Sequence, residues 1–126
     1  MILIDTCLWI ESICQTPTGK QHQALWSRPD EIIVPTLLQF ELRRWANRAL
    51  REDENAEVLV TTRNCQIVGM TEAIALLGAD YSTQYKLPAI DAMMYATAME
   101  HNATLITCDS HFEGLPLVDY HAKLAQ

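Results

Sequence analysis

The sequence predicts a small α/β domain built on a parallel sheet, and three observations carry that reading. Short apolar runs at 2–4, 32–34 and 104–107 are apolar nearly throughout rather than alternating, as strands covered on both faces are. The segments between them are helical in pattern and too long for hairpins, so successive strands must be joined by crossovers. The chain has 126 residues, enough for one central core and not for two. One domain over 1–126, with about five strands and helices on both faces of the sheet, is expected.

Element by element, Met1 is followed by the strand 2–4, and Thr6 is a suitable N-cap for a short helix over about 7–14. Pro17 and Gly19 should break that pattern, with a small helix at 20–28 carrying Leu25 and Trp26. Ile32-Ile33-Val34 is the second strand, closed by Pro35. Thr36 is the expected N-cap of a long helix to about 51, with Leu38, Leu42, Trp45 and Ala49 as one apolar stripe. Residues 53–62 continue as helix or loop, with Glu54 and Glu57 on the wet side. A weaker third strand covers 65–68 and ends at Gly69. Met70 or Thr71 then opens a helix to about 84. Leu87-Pro88 restarts the chain into a helix over 89–101 that is apolar on nearly every side and so buried on nearly every side. Residues 104–107 are the fourth strand, and Leu117-Val118 a short fifth.

Hydrophobic residues make up 49% and charged residues 20%, which excludes a disordered chain. The formal net charge is -7. That argues against a non-specific nucleic-acid coat, which needs a basic surface, but not against a nuclease whose acids hold cations. The opening residues lack the basic region of a signal peptide, and Asp5 interrupts them. No apolar run approaches the roughly 18 residues of a membrane span. Cys7, Cys14, Cys65 and Cys108 are scattered and form no CxxC pair, so reduced thiols and a cytoplasmic protein are expected.

Four acids stand out. Asp5 directly follows the first strand, and Asp109 follows the fourth. Ligands of open parallel sheets bind at these carboxyl ends. Helix capping is the competing reading of both. Asp91 lies in the first turn of the apolar helix, where the dipole favours an acid, but Ile90, Ala92, Met94 and Tyr95 leave little room for an unpartnered charge. Glu41 lies off the Leu38-Leu42 stripe, and a surface ion pair with Arg44 explains it equally well. As a set, carboxylates without histidine or cysteine at ligand spacing specify a hard cation, Mg²⁺ or Mn²⁺ rather than Zn²⁺. Such ions bind phosphates, and the expected reaction is phosphodiester hydrolysis by a metal-activated water.

At these residues the sequence resembles the PIN domain family, and within it the VapC-like toxin ribonucleases of type II toxin–antitoxin pairs. The resemblance rests on Ile4-Asp5-Thr6, on Pro35 to Glu41, on Leu87-Pro88-Ala89-Ile90-Asp91-Ala92 with Ala96-Thr97-Ala98, and on Leu105 to Asp109 with Phe112. It covers essentially the whole chain. It implies strand order 3-2-1-4-5, a homodimer, and a metal-dependent endoribonuclease whose catalytic and metal-binding residues are Asp5, Glu41, Asp91 and Asp109. It also implies RNA as substrate and an antitoxin protein as partner. Thr6 and Thr107 would position these acids. Glu113 and Ser110 do not match a further ligand, and Glu113 is kept outside the core site.

Arg43, Arg44, Arg48 and Arg51 are four of only nine basic residues, within one helix. Arg44, Arg48 and Arg51 are candidate contacts to RNA or to the antitoxin; a solvated helix end is the alternative, since Glu52, Asp53 and Glu54 follow. Trp9 and Trp26, with Leu37, could clamp an antitoxin helix, while Trp45 is expected to be buried. The histidines form no ligand pattern, and only His111, two residues past Asp109, is a minor candidate for touching substrate. Three other functions compete: a PIN-type nuclease of RNA processing without an antitoxin, a catalytically dead interaction domain, against which the intact acidic set argues, and a phosphatase with Asp5 as nucleophile. The last usually asks for a second acid where Cys7 stands, and no lysine precedes Asp109.

Overall fold

In the computed structural model, which describes residues 1–126, five strands form one all-parallel sheet in the order β3-β2-β1-β4-β5. The strands are β1 (Ile2–Ile4), β2 (Ile32–Pro35), β3 (Gln66–Val68), β4 (Thr104–Thr107) and β5 (Val118–Tyr120). The helices are α1 (Thr6–Ile13), α2 (Pro17–Gln21), α3 (Thr36–Ala49), α4 (Glu52–Arg63), α5 (Glu72–Tyr85) and α6 (Ala89–Glu100). From β1 the chain steps outward to β2 and β3, then returns across the sheet to β4 and β5. With the right-handed crossovers such units adopt, that reversal sends α1–α4 to one face and α5–α6 to the other. It also opens a crevice at the carboxyl ends of β1 and β4.

Apolar strands make the core because both faces are covered. Leu3, Ile4, Ile32, Val34 and Leu105 are fully buried and pack with Leu8, Leu38, Tyr95 and Phe112. Helix α6 is buried as its composition demands: Ala92, Met94, Tyr95, Ala96, Thr97 and Ala98 all leave solvent. It lies close against α5, where a Cβ on Gly78 would stand 3.2 Å from Met93 Cγ. Helix α2 packs on α1 more tightly still. A Cβ on Gly19 would fall 2.1 Å from the Glu11 carbonyl oxygen, so only glycine fits.

Several local expectations are corrected. Pro17 opens a helix instead of breaking one; it occupies the first turn of α2, and Thr16 Oγ1 accepts from the Gly19 N–H at 3.1 Å. The 20–28 segment splits accordingly, with α2 ending at Gln21 and a 3₁₀ turn over Gln23–Ser27. Thr6 is already helical, and Asp5 is the cap of α1. Thr36 caps nothing, because Pro35 is still paired with Val68 and the strand runs straight into α3. The buried stripe of α3 is Leu38, Leu42 and Ala46, not Trp45 and Ala49: Trp45 is half-buried and Ala49 exposed. The long helix stops at Ala49 because Leu50 turns extended, and residues 52–63 form a helix of their own, started by Glu54 Oε1 accepting from the Arg51 N–H at 2.9 Å. Strand β5 begins one residue late, because Leu117 is held at φ 57°. No helix is long and apolar enough to cross a membrane.

Candidate active site

The sheet register builds the site. Ile4 pairs with Ile106, and the Asp5 N–H extends the ladder by donating to the Ile106 carbonyl at 2.9 Å. Asp5 therefore lies opposite Thr107, whose hydroxyl donates to Asp5 Oδ2 at 2.7 Å. The same hydroxyl oxygen accepts from the Asp109 N–H at 2.9 Å, so Thr107 ties the two strand-end aspartates together. Asp5 also caps α1, its Oδ1 accepting from the Thr6 N–H at 2.9 Å. Cys7 Sγ donates to Asp5 Oδ2 at 3.4 Å and accepts from the Cys108 N–H at 3.3 Å. The hydrogen bond with the Cys108 thiol, together with burial, pushes Cys7 up, so it remains a thiol. All four cysteines are free.

Helices bring the other two acids. Glu41 turns inward from α3, its Oε1 accepting from Thr6 Oγ1 at 2.7 Å. No Glu41–Arg44 ion pair forms; the Arg44 guanidinium lies over the Phe40 ring instead. Asp91, in the first turn of α6, meets His111, which the sequence offers as a minor candidate for substrate contact and not as a ligand. His111 Nδ1 is 3.0 Å from Asp91 Oδ2 and 3.4 Å from Asp109 Oδ1, and the His111 backbone N–H donates to Asp109 Oδ1 at 2.9 Å. Ligand atoms of Asp91, Asp109 and His111 all lie within 4.8 Å of one another. The available signal was that Asp109 caps a 3₁₀ turn over Ser110–Phe112, which swings residue 111 back over the acid. Glu113 is not part of this group.

Electrostatically the crevice concentrates negative charge, with His111 the group in direct contact that can offset it. Burial pushes Asp5 up to about 6, with the Asp91 charge adding to it. Burial likewise raises Glu41 and Asp91, and each also feels Asp109. His111 is raised, first by its hydrogen bond to Asp91. No lysine or arginine pairs with any of the four acids. Buried carboxylates without a cation are unfavourable, and an oxygen-rich donor set suits a hard divalent ion.

Away from the crevice, Trp9 and Trp26 meet edge to face at 5.3 Å in the wall of a groove of about 410 Å³, with Leu50 and Val58 opposite and Glu54 and Glu57 at its rim. Leu37 does not line it. Both indole N–H groups are buried without an acceptor. Arg51 is engaged with Asp53 and Glu54, which fits the charged helix-end reading for that residue.

The family model for the PIN domain matches residues 2–116. The chain belongs to the PIN domain family. No curated protein matches this PIN domain. Among solved structures it is similar to a toxin–antitoxin complex from Klebsiella pneumoniae, at 24% identity and TM-score 0.79, covering 94% of this chain and 96% of that one. VapBC2 from Rickettsia felis, bound to a DNA fragment from its promoter, aligns at 17% identity and TM-score 0.74 over 97% and 98% of the two chains. VapC20 from Mycobacterium tuberculosis, described as a sarcin–ricin loop cleaving toxin, aligns at 13% and TM-score 0.74 over 92% and 95%. At such identities these likenesses speak for the fold of the PIN domain.

Proposed function

We propose that this PIN domain is the toxin of a toxin–antitoxin pair: an endoribonuclease that hydrolyses RNA phosphodiester bonds with Mg²⁺ or Mn²⁺ held by Asp5, Glu41, Asp91 and Asp109. The observation that carries this reading is a strand-end crevice in which Asp91 and Asp109 lie at ligand distance with His111, while Asp5 and Glu41 are held nearby by Thr107 and Thr6, and no lysine or arginine forms an ion pair with any of the four acids. When bound, such a cation activates water as a nucleophile and offsets charge on the phosphate. Thr107 and Thr6 hold Asp5 and Glu41 in place through short hydrogen bonds, which fixes the orientation of both carboxylates toward the crevice. His111, exposed beside Asp91 and Asp109, is placed to touch the substrate phosphate or complete the ligand set.

The partner reading is supported by the company the fold keeps. Several similar structures are toxin–antitoxin complexes, and one is described as a loop-cleaving toxin. The Trp9–Trp26 groove suits an antitoxin segment with an apolar face, basic side chains for Glu54 and Glu57, and an acceptor for the orphaned indoles. One nuclease domain over 1–126, a homodimer and a cytoplasmic location complete the proposal; the first rests on chain length, the second on the family and the third on the scattered cysteines. The decisive experiment incubates RNA with the protein and Mn²⁺, beside Asp5→Asn. Cleavage by the parent and at least a hundredfold less by the variant is expected; equal cleavage would remove the nuclease assignment.

A further inference from the structure

Helix α3 carries Glu41 into the crevice and, one residue earlier, presents an aromatic ring to solvent. Phe40 is 53% exposed. The Arg44 guanidinium lies 5.2 Å from the centre of its ring. Arg44 is four residues from Phe40 and three from Glu41, so it stands on the same helix face as both. Arg48 follows one turn on, about 6 Å further along the axis. Neither Arg44 nor Arg48 has a carboxylate within ion-pair distance, although the chain carries sixteen acids against nine bases.

An exposed aromatic gripped by an unpaired arginine, at the edge of a phosphate-hydrolysing site, is suited to unpaired nucleotides. A base stacks on the ring or on the guanidinium plane, and arginines bind the backbone on either side. A second copy of this chain fits less well. A two-fold contact centred here would set Arg44 and Arg48 against their own counterparts. A basic partner segment has its acidic rim elsewhere, at Glu54 and Glu57.

We propose that Phe40, Arg44 and Arg48 form the seat for single-stranded RNA beside the scissile phosphate, with the Phe40–Arg44 pair stacking a base and Arg44 and Arg48 binding the adjoining phosphates. The inference rests on the nuclease reading for its biology but is tested by binding alone. The full chain is titrated against a fluorescein-labelled 20-nucleotide single-stranded RNA of mixed sequence, and against its duplex, in EDTA and at several salt concentrations. Phe40→Ala should weaken single-strand binding about tenfold, and Phe40→Trp should restore it. Arg44→Ala and Arg48→Ala should each weaken binding and each lower the salt slope by about one. Each variant should keep the Mn²⁺-induced rise in Tm of the parent, which separates RNA seating from metal binding. Unchanged affinity in well-folded variants overturns the proposal, as does a parent that binds duplex as well as single strand or binds neither. So does a Phe40→Ala protein that sediments as a monomer from a dimeric parent with RNA affinity unaltered; the patch would then be a subunit interface. Loss of cleavage in Asp5→Asn with binding retained leaves both readings standing, whereas a parent that binds RNA but never cuts it removes only the nuclease.

Discussion

Asp5 has two carboxylate oxygens and three donors aimed at them, from Thr6, Cys7 and Thr107. These bonds favour the charged form, yet burial outweighs them and lifts the group to about 6. The sign follows from linkage. A carboxyl raised on folding contributes stability that is complete below its unfolded value near 3.8 and is lost as pH rises through about 6. The difference corresponds to about 3 kcal/mol. Metal-free protein should therefore lose Tm between about pH 4 and pH 7, and Asp5→Asn should flatten most of that fall. Mn²⁺ should raise Tm strongly at pH 7 and hardly at pH 4. Thermal melts at both pH values, with and without Mn²⁺, check this; an equal Mn²⁺ effect at pH 4 and pH 7 would count against Asp5 as a ligand. At this scale the sequence was informative about Asp5, Asp91 and Asp109, whose positions at strand ends and in an apolar helix are themselves unusual. It was not informative about Glu41, because an acid three residues before an arginine has the same local pattern whether it faces solvent or a crevice.

Among the elements, α1 and α2 show how close approach overrides local signals. Proline followed two residues later by glycine reads as a break. Here the proline starts α2 and the glycine lets it lie against α1. Gly19→Ala forces its Cβ onto the Glu11 carbonyl and should destabilise the fold by about 2 kcal/mol or more. Urea denaturation measures it, and a change of a few tenths would show that α2 simply moves aside. The stripe of α3 makes the same point. Trp45 and Ala46 are adjacent, and only the angle at which α3 meets the sheet puts Ala46 inside. Helix α6 was legible throughout, since a segment without a polar face has only one place to go.

For the whole molecule, the acids behind the net charge of -7 gather at two places among others. Some line the crevice, and some rim the Trp9–Trp26 groove. If that groove seats the antitoxin, double substitution Glu54→Lys and Glu57→Lys should weaken the complex with the protein's own antitoxin at least tenfold and leave Mn²⁺ binding intact. Calorimetric titration of the purified pair reads this. Binding by the parent should also shift tryptophan emission as the buried indoles gain acceptors. An unchanged Kd would move the partner elsewhere on the surface. What the sequence determined by itself was the architecture, and with it the expectation of a hard cation; the structure adds the His111 imidazole to the carboxylates from which that expectation was read. Apolar runs without alternation demand a doubly covered parallel sheet, such sheets align their carboxyl ends, and oxygen ligands select hard cations. The resemblance named Thr6 and Thr107 as positioning residues, and tertiary structure decided which acid each one meets. Thr107 reaches Asp5 across 102 residues and Glu41 reaches Thr6 across 35. His111 enters the site only because a 3₁₀ turn folds it over Asp109 toward a helix twenty residues away. Such meetings depend on strand register and helix angle, which the packing of the core sets and no local pattern encodes.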